Sequence, residues 1–197
     1  YPRDDKSGEE LIRKADLAMY HAKEQGRNDF QFFDDALERL AHYNLDLENR
    51  LRNALKKNQF QLFYQPKVCV KDSNHKSVEA LLRWTVDGRN VISPTEFIPI
   101  AERMGLMVPL GYWVIEEVCR QIQEWRSHGI NDVNVAINLS AQQFSEDNFI
   151  DRIKFLVGLY EVDPKYIDWE ITESILLEDL SQVGDILQQL KDMGSSI

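Results

Sequence analysis

Glu79 and Arg83 stand four residues apart in Ser77-Val78-Glu79-Ala80-Leu81-Leu82-Arg83-Trp84. The stretch alternates as a half-buried strand does. Val78, Ala80, Leu82 and Trp84 fall on one face, and Glu79, Leu81 and Arg83 on the other. A carboxylate within an apolar strand is costly without a partner. Arg83 could be that partner, or a metal ion could, and the two choices imply different functions.

Other stretches repeat the pattern. In 133–139, Asn134, Ala136 and Asn138 alternate with Val133, Val135, Ile137 and Leu139. In 167–173, Asp168, Glu170 and Thr172 alternate with Ile167, Trp169 and Ile171. Phe63, Gln65 and Lys67 share a face opposite Leu62 and Tyr64. Glu79, Asn138 and Glu170 are then expected toward the C-terminal ends of their strands, where barrel folds build their sites. Two carboxylates and an amide oxygen are hard ligands, suited to Mg²⁺ or Mn²⁺ rather than zinc. Arg83 and Gln65 suit an anionic, hydrogen-bonding substrate such as a phosphodiester.

Blander readings stand beside this one. Asn138 alone could be a satisfied strand-end amide. Glu170 and Glu173 could be surface carboxylates or cap partners for Thr172 and Ser174. Glu79 and Arg83 could form an internal ion pair. Recurrence of three donors at equivalent strand ends weakens the joint coincidence, and spacing alone leaves the choice open.

The elements that must position these residues follow from periodicity. Ser7-Gly8-Glu9-Glu10 reads as a capping box, and Leu11, Ile12, Ala15, Ala18, Met19 and Ala22 continue at helical spacing up to Gly26. Phe30-Gln31-Phe32-Phe33 is a short strand candidate. One helix and one strand cannot bury a core, so 1–33 is expected to be the end of another domain. Residues 34–57 are helical, either as one helix or as two broken near Tyr43-Asn44. Strands over 60–70 and 77–84, joined by a short polar link, predict an antiparallel hairpin. Ser93-Pro94-Thr95-Glu96 starts a helix that Pro99 should kink and Gly105 should end. A helix ending at Gly129, a strand at 133–140, a helix through Phe149–Tyr160, a strand at 167–173 and a last helix through Val183–Met193 complete the order. This βα series predicts parallel strands with right-handed crossovers.

The chain is 197 residues long, 43% hydrophobic and 28% charged, with a net charge of −10. That balance argues against a nucleic-acid polymer or an anionic membrane surface as partner, but not against a small anionic ligand in a local basic pocket. Cys69 and Cys119 lie far apart among apolar residues and read as buried free thiols, which points to a reducing cytoplasm. The four histidines show no ligand spacing. The longest apolar run, Leu106–Ile115, is about half a membrane span and contains Pro109. The chain opens on Tyr1 and stops at Ser195-Ser196-Ile197, apparently at a strand start, so it is expected to be a piece of a longer protein.

Glu79-Ala80-Leu81-Leu82-Arg83-Trp84 resembles the signature of the EAL-domain cyclic-di-GMP phosphodiesterases. Tyr64-Gln65-Pro66, the block from Ser93 to Glu102, Asn138-Leu139-Ser140 and Glu170-Ile171-Thr172-Glu173-Ser174 resemble further family blocks in the family's order. The likeness covers 46–197. Ala15-Asp16-Leu17-Ala18-Met19-Tyr20-His21-Ala22-Lys23 and Gly26-Arg27-Asn28 are similar to the end of a GGDEF (diguanylate cyclase) domain, which assigns 1–33 to that tail and 34–45 to a helical linker. The GGDEF loop itself is absent, so the resemblance implies no cyclase activity in this stretch.

The resemblance implies an α/β fold: the first half of a TIM-type (β/α) barrel whose first strand runs antiparallel. It implies that Glu79, Asn138 and Glu170 ligate Mg²⁺ or Mn²⁺, with Glu79 and Glu170 serving catalysis through metal-activated water. Gln65 and Arg83 would contact cyclic-di-GMP, and Glu173 would brace a downstream loop. The reaction would open one phosphodiester to give linear pGpG, two metals sharing the charge. The family's Asp-Asp-Phe-Gly block would follow Ile197, and a lysine, a glutamate and a glutamine that complete the site lie beyond it. The 197 residues alone are therefore expected to be inactive. A homodimer through the EAL domain is expected, and the parent protein could be membrane-anchored through other segments. The alternatives are a non-catalytic cyclic-di-GMP receptor and a dimerising structural fragment.

Overall fold

The structure is a computed structural model that describes residues 7–24, 28–68, 76–172, 175 and 180–197. It divides into two units, Tyr1–Arg52 and Asn53–Ile197.

The first unit holds α1 (Gly8–Glu24) and most of α2 (Asp35–Ala54). The Ser7 hydroxyl accepts from the Glu10 amide at 3.5 Å, one half of the expected capping box. Asp34 caps α2 by accepting from the Leu37 amide at 2.7 Å. Helix α2 runs unbroken through Tyr43 and Asn44, which decides for one helix. Phe30–Phe33 is not a strand: among the described residues nothing pairs with it, and β propensity without a partner strand makes no ladder. Gly26, the expected stop of α1, lies outside the described residues.

In the second unit the expected hairpin forms. β1 (Phe60–Val68) pairs antiparallel with β2 (Lys76–Val86), in register from Phe60–Trp84 to Val68–Lys76. β2 folds back on β3 (Asn90–Ile92) through Asp87 and Gly88, at φ 54° and 68°. That left-handed geometry is what an Asp-Gly pair supplies at low cost. α3 (Pro94–Arg103) and α4 (Met107–Ser127) follow, then β4 (Asn134–Asn138), α5 (Ala141–Phe144), α6 (Phe149–Leu159), β5 (Ile167–Glu170) and α7 (Leu180–Asp192). β4 pairs parallel with β2 and with β5, giving the order β1-β2-β4-β5. Ser196 makes an isolated parallel bridge to Asp168, beside β5, and among the described residues the sheet is not closed.

Ser93 caps α3 with Pro94 at its first position, as the sequence predicts. Its hydroxyl pairs with Thr95 Oγ1 at 2.8 Å and makes no side-chain bond to the helix amides. α3 continues through Pro99 to Arg103.

Helices cover one face of the sheet. Ala80, Val135, Ile137, Ile167 and Trp169 are buried against Ile115, Val118 and Ile122 of α4, Ile153 and Leu156 of α6, and Leu190 of α7. This is the apolar half of each alternating strand, and its burial drives the packing. A second cluster sits where β1, β2, α3 and α4 meet: Trp84 and Phe97 have ring centroids 5.7 Å apart, and Phe60 lies 6.0 Å from Trp113.

Cys119 is buried within α4 as a free thiol, as expected; Cys69 lies outside the described residues. Burial, and then the charge of Glu116, push the Cys119 thiol up to about 12. Unfolded, the thiol loses its proton at lower pH, so its contribution to stability is present at neutral pH and declines from about pH 9 toward 12. Ellman's reagent at pH 8 is expected to leave Cys119 unmodified in the native protein and to titrate it fully in urea. Rapid native labelling of Cys119 would contradict its burial.

Candidate functional site

The other face of the sheet carries the polar halves of the strands. Gln65 lies directly opposite Glu79 across the β1–β2 ladder. Glu79 is in register with Ala136, and Asn138 with Glu170. Asn138 and Glu170 are the last residues of β4 and β5, as expected. Glu79 is different, because β2 is long: Glu79 is its fourth residue, and the strand runs on to Val86. Only Ser77–Ala80 pairs with β4, so Glu79 stands one residue before the end of the parallel segment rather than near the end of the strand.

Side-chain bonds tie this face together. Asn138 Nδ2 donates to Glu79 Oε1 at 2.7 Å, and Lys67 Nζ donates to Glu170 Oε1 at 2.6 Å. The second pair joins β1 to β5 across two intervening strands. On a flat sheet those strands would lie about 14 Å apart at ~4.8 Å per step. The sheet is therefore curled with its polar face inward. The Lys67 ammonium is held above its usual range, first by the bond to Glu170 and also by the charges of Asp168 and Glu79.

Arg83 does not pair with Glu79. Its guanidinium donates to the Leu82 carbonyl at 3.0 Å and lies over the Phe63 ring at 5.5 Å from the centroid. The internal ion-pair reading is thus not the arrangement found. Phe63 is half exposed, and Arg83 is partly buried. Lower on that face, Asn134 Nδ2 donates to Asp168 Oδ1 at 3.0 Å and to the Lys165 carbonyl at 3.1 Å.

A capping box opens the helix two residues after Asn138. Ser140 and Gln143 form a reciprocal capping box at the start of α5. Gln143 Oε1 accepts from the Ser140 amide at 2.9 Å and its hydroxyl at 3.0 Å. Gln143 is buried, and its amide lies against Gly111 of α4. A Cβ on Gly111 would stand 2.8 Å from Gln143 Oε1 and closer still to Nε2. Gly111→Ala is expected to cost about 1–3 kcal/mol by overpacking, read as a lower urea midpoint. An unchanged midpoint would show that the Gln143 side chain can move aside freely.

The donor set has the chemistry of a hard cation site. Glu79 and Glu170 offer carboxylate oxygens, and Asn138 would offer Oδ1 after its amide turns over, which exchanges the Nδ2–Glu79 bond for a ligand oxygen. Glu170 would have to release Lys67. Among the described residues, no three His, Cys, Asp or Glu side chains converge on one point, so a three-donor set here draws on an amide oxygen, and Asn138 is the amide bonded to Glu79. Glu173, expected to brace a downstream loop, lies outside the described residues.

Lys67 is the site residue that sequence reasoning did not single out. Its signal was its place on the face of Phe63 and Gln65; its partner lies 103 residues away. Among the described residues no helix is long and apolar enough to cross a membrane.

Comparisons with known proteins agree with the sequence blocks. The EAL domain family matches residues 48–197. Over 197 residues the chain is 41% identical to the bifunctional diguanylate cyclase/cyclic di-GMP phosphodiesterase MucR of Pseudomonas aeruginosa, covering 100% of this chain and 29% of that protein. It is 40% identical over 189 residues to the cyclic di-GMP phosphodiesterase PdeR of Escherichia coli, covering 95% and 28%. The solved PaMucR phosphodiesterase in complex with c-di-GMP superposes with a TM-score of 0.71 at 39% identity, over 76% of this chain and 61% of that one. The chain thus spans less than a third of the length of these two curated relatives.

Proposed function

The chain belongs to the EAL-domain family, and from that premise we propose that it carries the first half of the site of a cyclic-di-GMP phosphodiesterase. The observation that carries the proposal is the placement of Glu79, Asn138 and Glu170 on one polar face, Asn138 bonded to Glu79 and in register with Glu170, with Gln65 opposite Glu79 and Arg83 not paired with it.

In this reading Glu79, Asn138 and Glu170 hold Mg²⁺ or Mn²⁺. When bound, such an ion polarises a phosphoryl oxygen and makes water a nucleophile at neutral pH. Arg83, kept flat by Phe63, offers its guanidinium fork to a phosphodiester oxygen or a guanine edge. Gln65 offers an amide that can both donate and accept. In this reading the five groups would face one ligand across the curled sheet, which would lower the entropy cost of holding it. The product is linear pGpG.

The domain boundaries belong to the same proposal. The family match begins at 48, while the likeness to the bifunctional MucR runs the full length of this chain. That supports 1–33 as the tail of a GGDEF domain, 34–45 as a helical linker and 46–197 as the first half of the EAL domain. Self-association through the EAL domain belongs to the same proposal. The cytoplasm is the compartment where cyclic-di-GMP would be met.

The 197 residues by themselves are expected to give no turnover, because the rest of the site is expected beyond Ile197. Purified chain incubated with cyclic-di-GMP and Mn²⁺ should leave the dinucleotide intact by chromatography. Detectable pGpG from it would show that the three donors suffice. A second reading, a non-catalytic receptor, is favoured by one observation: Lys67 already occupies Glu170. A full-length protein that binds cyclic-di-GMP but never opens it would decide for the receptor.

A further inference from the structure

We propose that Lys67 is the site's built-in counter-ion: its ammonium holds Glu170 when no divalent ion is present, and the ion must displace it to bind. This deepens the metal reading above and rests on it.

The argument begins with what the Lys67–Glu170 contact does not do. Both side chains are partly solvated, with side-chain exposures of 41% and 35%. A pair so exposed adds little to folding stability. Yet it spans the concave face, from the outermost strand β1 across β2 and β4 to β5. Lysine is a flexible point charge whose side chain can withdraw from a partner at small cost, unlike a forked guanidinium fixed by two bonds. The carboxylate it holds is the last residue of β5, beside Asn138 in register and one strand from Glu79.

The alternative cation is placed elsewhere. Arg83, on the same face as Glu79, is committed to the Leu82 carbonyl and the Phe63 ring. Among the described residues, Glu79 receives an uncharged amide, from Asn138. Of the two candidate acidic ligands, Glu170 is therefore the one neutralised by a protein cation. An ion entering this site takes Glu79 from an uncharged amide, which turns over, and takes Glu170 from a cation. Lys67 thus weakens metal affinity through competition for one oxygen and through like-charge repulsion, so that the site fills only above a threshold ion concentration.

The test is Mn²⁺ binding to the full-length protein without nucleotide, read by the loss of the free-ion electron paramagnetic resonance signal. Lys67→Met, which keeps the aliphatic stem, is expected to bind Mn²⁺ about 3- to 10-fold more tightly than wild type, a modest gain because the pair is partly screened. Lys67→Arg, which keeps the charge, should stay within about twofold of wild type. Tight binding by Lys67→Met alone, with none by wild type, would support the proposal in its strongest form. Equal or weaker binding by Lys67→Met, with wild type binding normally, would overturn the counter-ion role and leave the metal site standing. Absence of Mn²⁺ binding by wild type and by Lys67→Met together would overturn the metal reading and this inference with it.

Discussion

Glu79→Ala in the full-length protein is expected to lower cyclic-di-GMP turnover by at least about 100-fold, the upper end of what loss of a mere supporting contact to a metal ligand costs. Glu79 meets Asn138 at 2.7 Å and stands opposite Gln65, so its removal takes one donor and unseats a second. Glu79→Gln separates the two effects. It keeps the shape and a hydrogen bond to Asn138 but not the charge. It should lose nearly as much turnover, with the urea midpoint close to wild type, because the side chain is only half-buried. Chromatographic assay of pGpG with Mn²⁺ in excess measures both variants. Near wild-type turnover in Glu79→Gln would remove the carboxylate from the mechanism.

Trp84→Ala is the largest expected effect on the fold. Trp84 is fully buried, with Phe97 edge-on at 5.7 Å and Phe60 at 6.1 Å. Its indole N–H reaches Gln59 Oε1 at 3.4 Å. Truncation leaves a cavity where β1, β2, α3 and α4 meet, at a cost of about 3–5 kcal/mol. A domain of this size holds only about 5–15 kcal/mol in total, so most of the native population is at risk. The loss should appear as a large drop in urea midpoint with loss of near-ultraviolet circular dichroism. Trp84→Phe, which keeps an aromatic ring in the cluster, should lose distinctly less. A Trp84→Ala protein within about 1 kcal/mol of wild type would mean that the cluster collapses around the gap.

Trp84 and Glu79 also show what the chain's own order makes legible. Both sit on one strand, on opposite faces, and strict alternation announced this before any partner was known. The antiparallel hairpin, the parallel β4 and β5 and the helices between them follow from the same periodicities, because local pattern and packing agree there. Phe30–Phe33 shows the limit: it has strand-forming residues, but pairing is a property of two segments, and no second one is present among the described residues. β3 was missed for the opposite reason. Three residues are too few for a periodic signal, and only Asp87-Gly88 marked the turn.

The candidate site was legible as types and spacing, not as contacts. Asn138 and Glu170 fall at strand ends as the alternation implied. That Glu79 lies next to the end of a parallel segment, and far from the end of its strand, depends on β2 outrunning β4, which no single segment reveals. Lys67 and Glu170 meet only because the sheet curls, a consequence of its twist and closing tendency rather than of either local sequence. The commitment of Arg83 to Phe63 is likewise a cross-strand contact. Recognition of the EAL blocks supplied the family, and the geometry added which acidic group already has a cation.

The most direct test of the central claim is the fate of cyclic-di-GMP incubated with the full-length protein and Mn²⁺, followed by chromatography with a parallel sample in excess chelator. The account predicts conversion to linear pGpG with Mn²⁺ and none with chelator. Cyclic-di-GMP recovered intact in both samples, despite measurable binding, would contradict it.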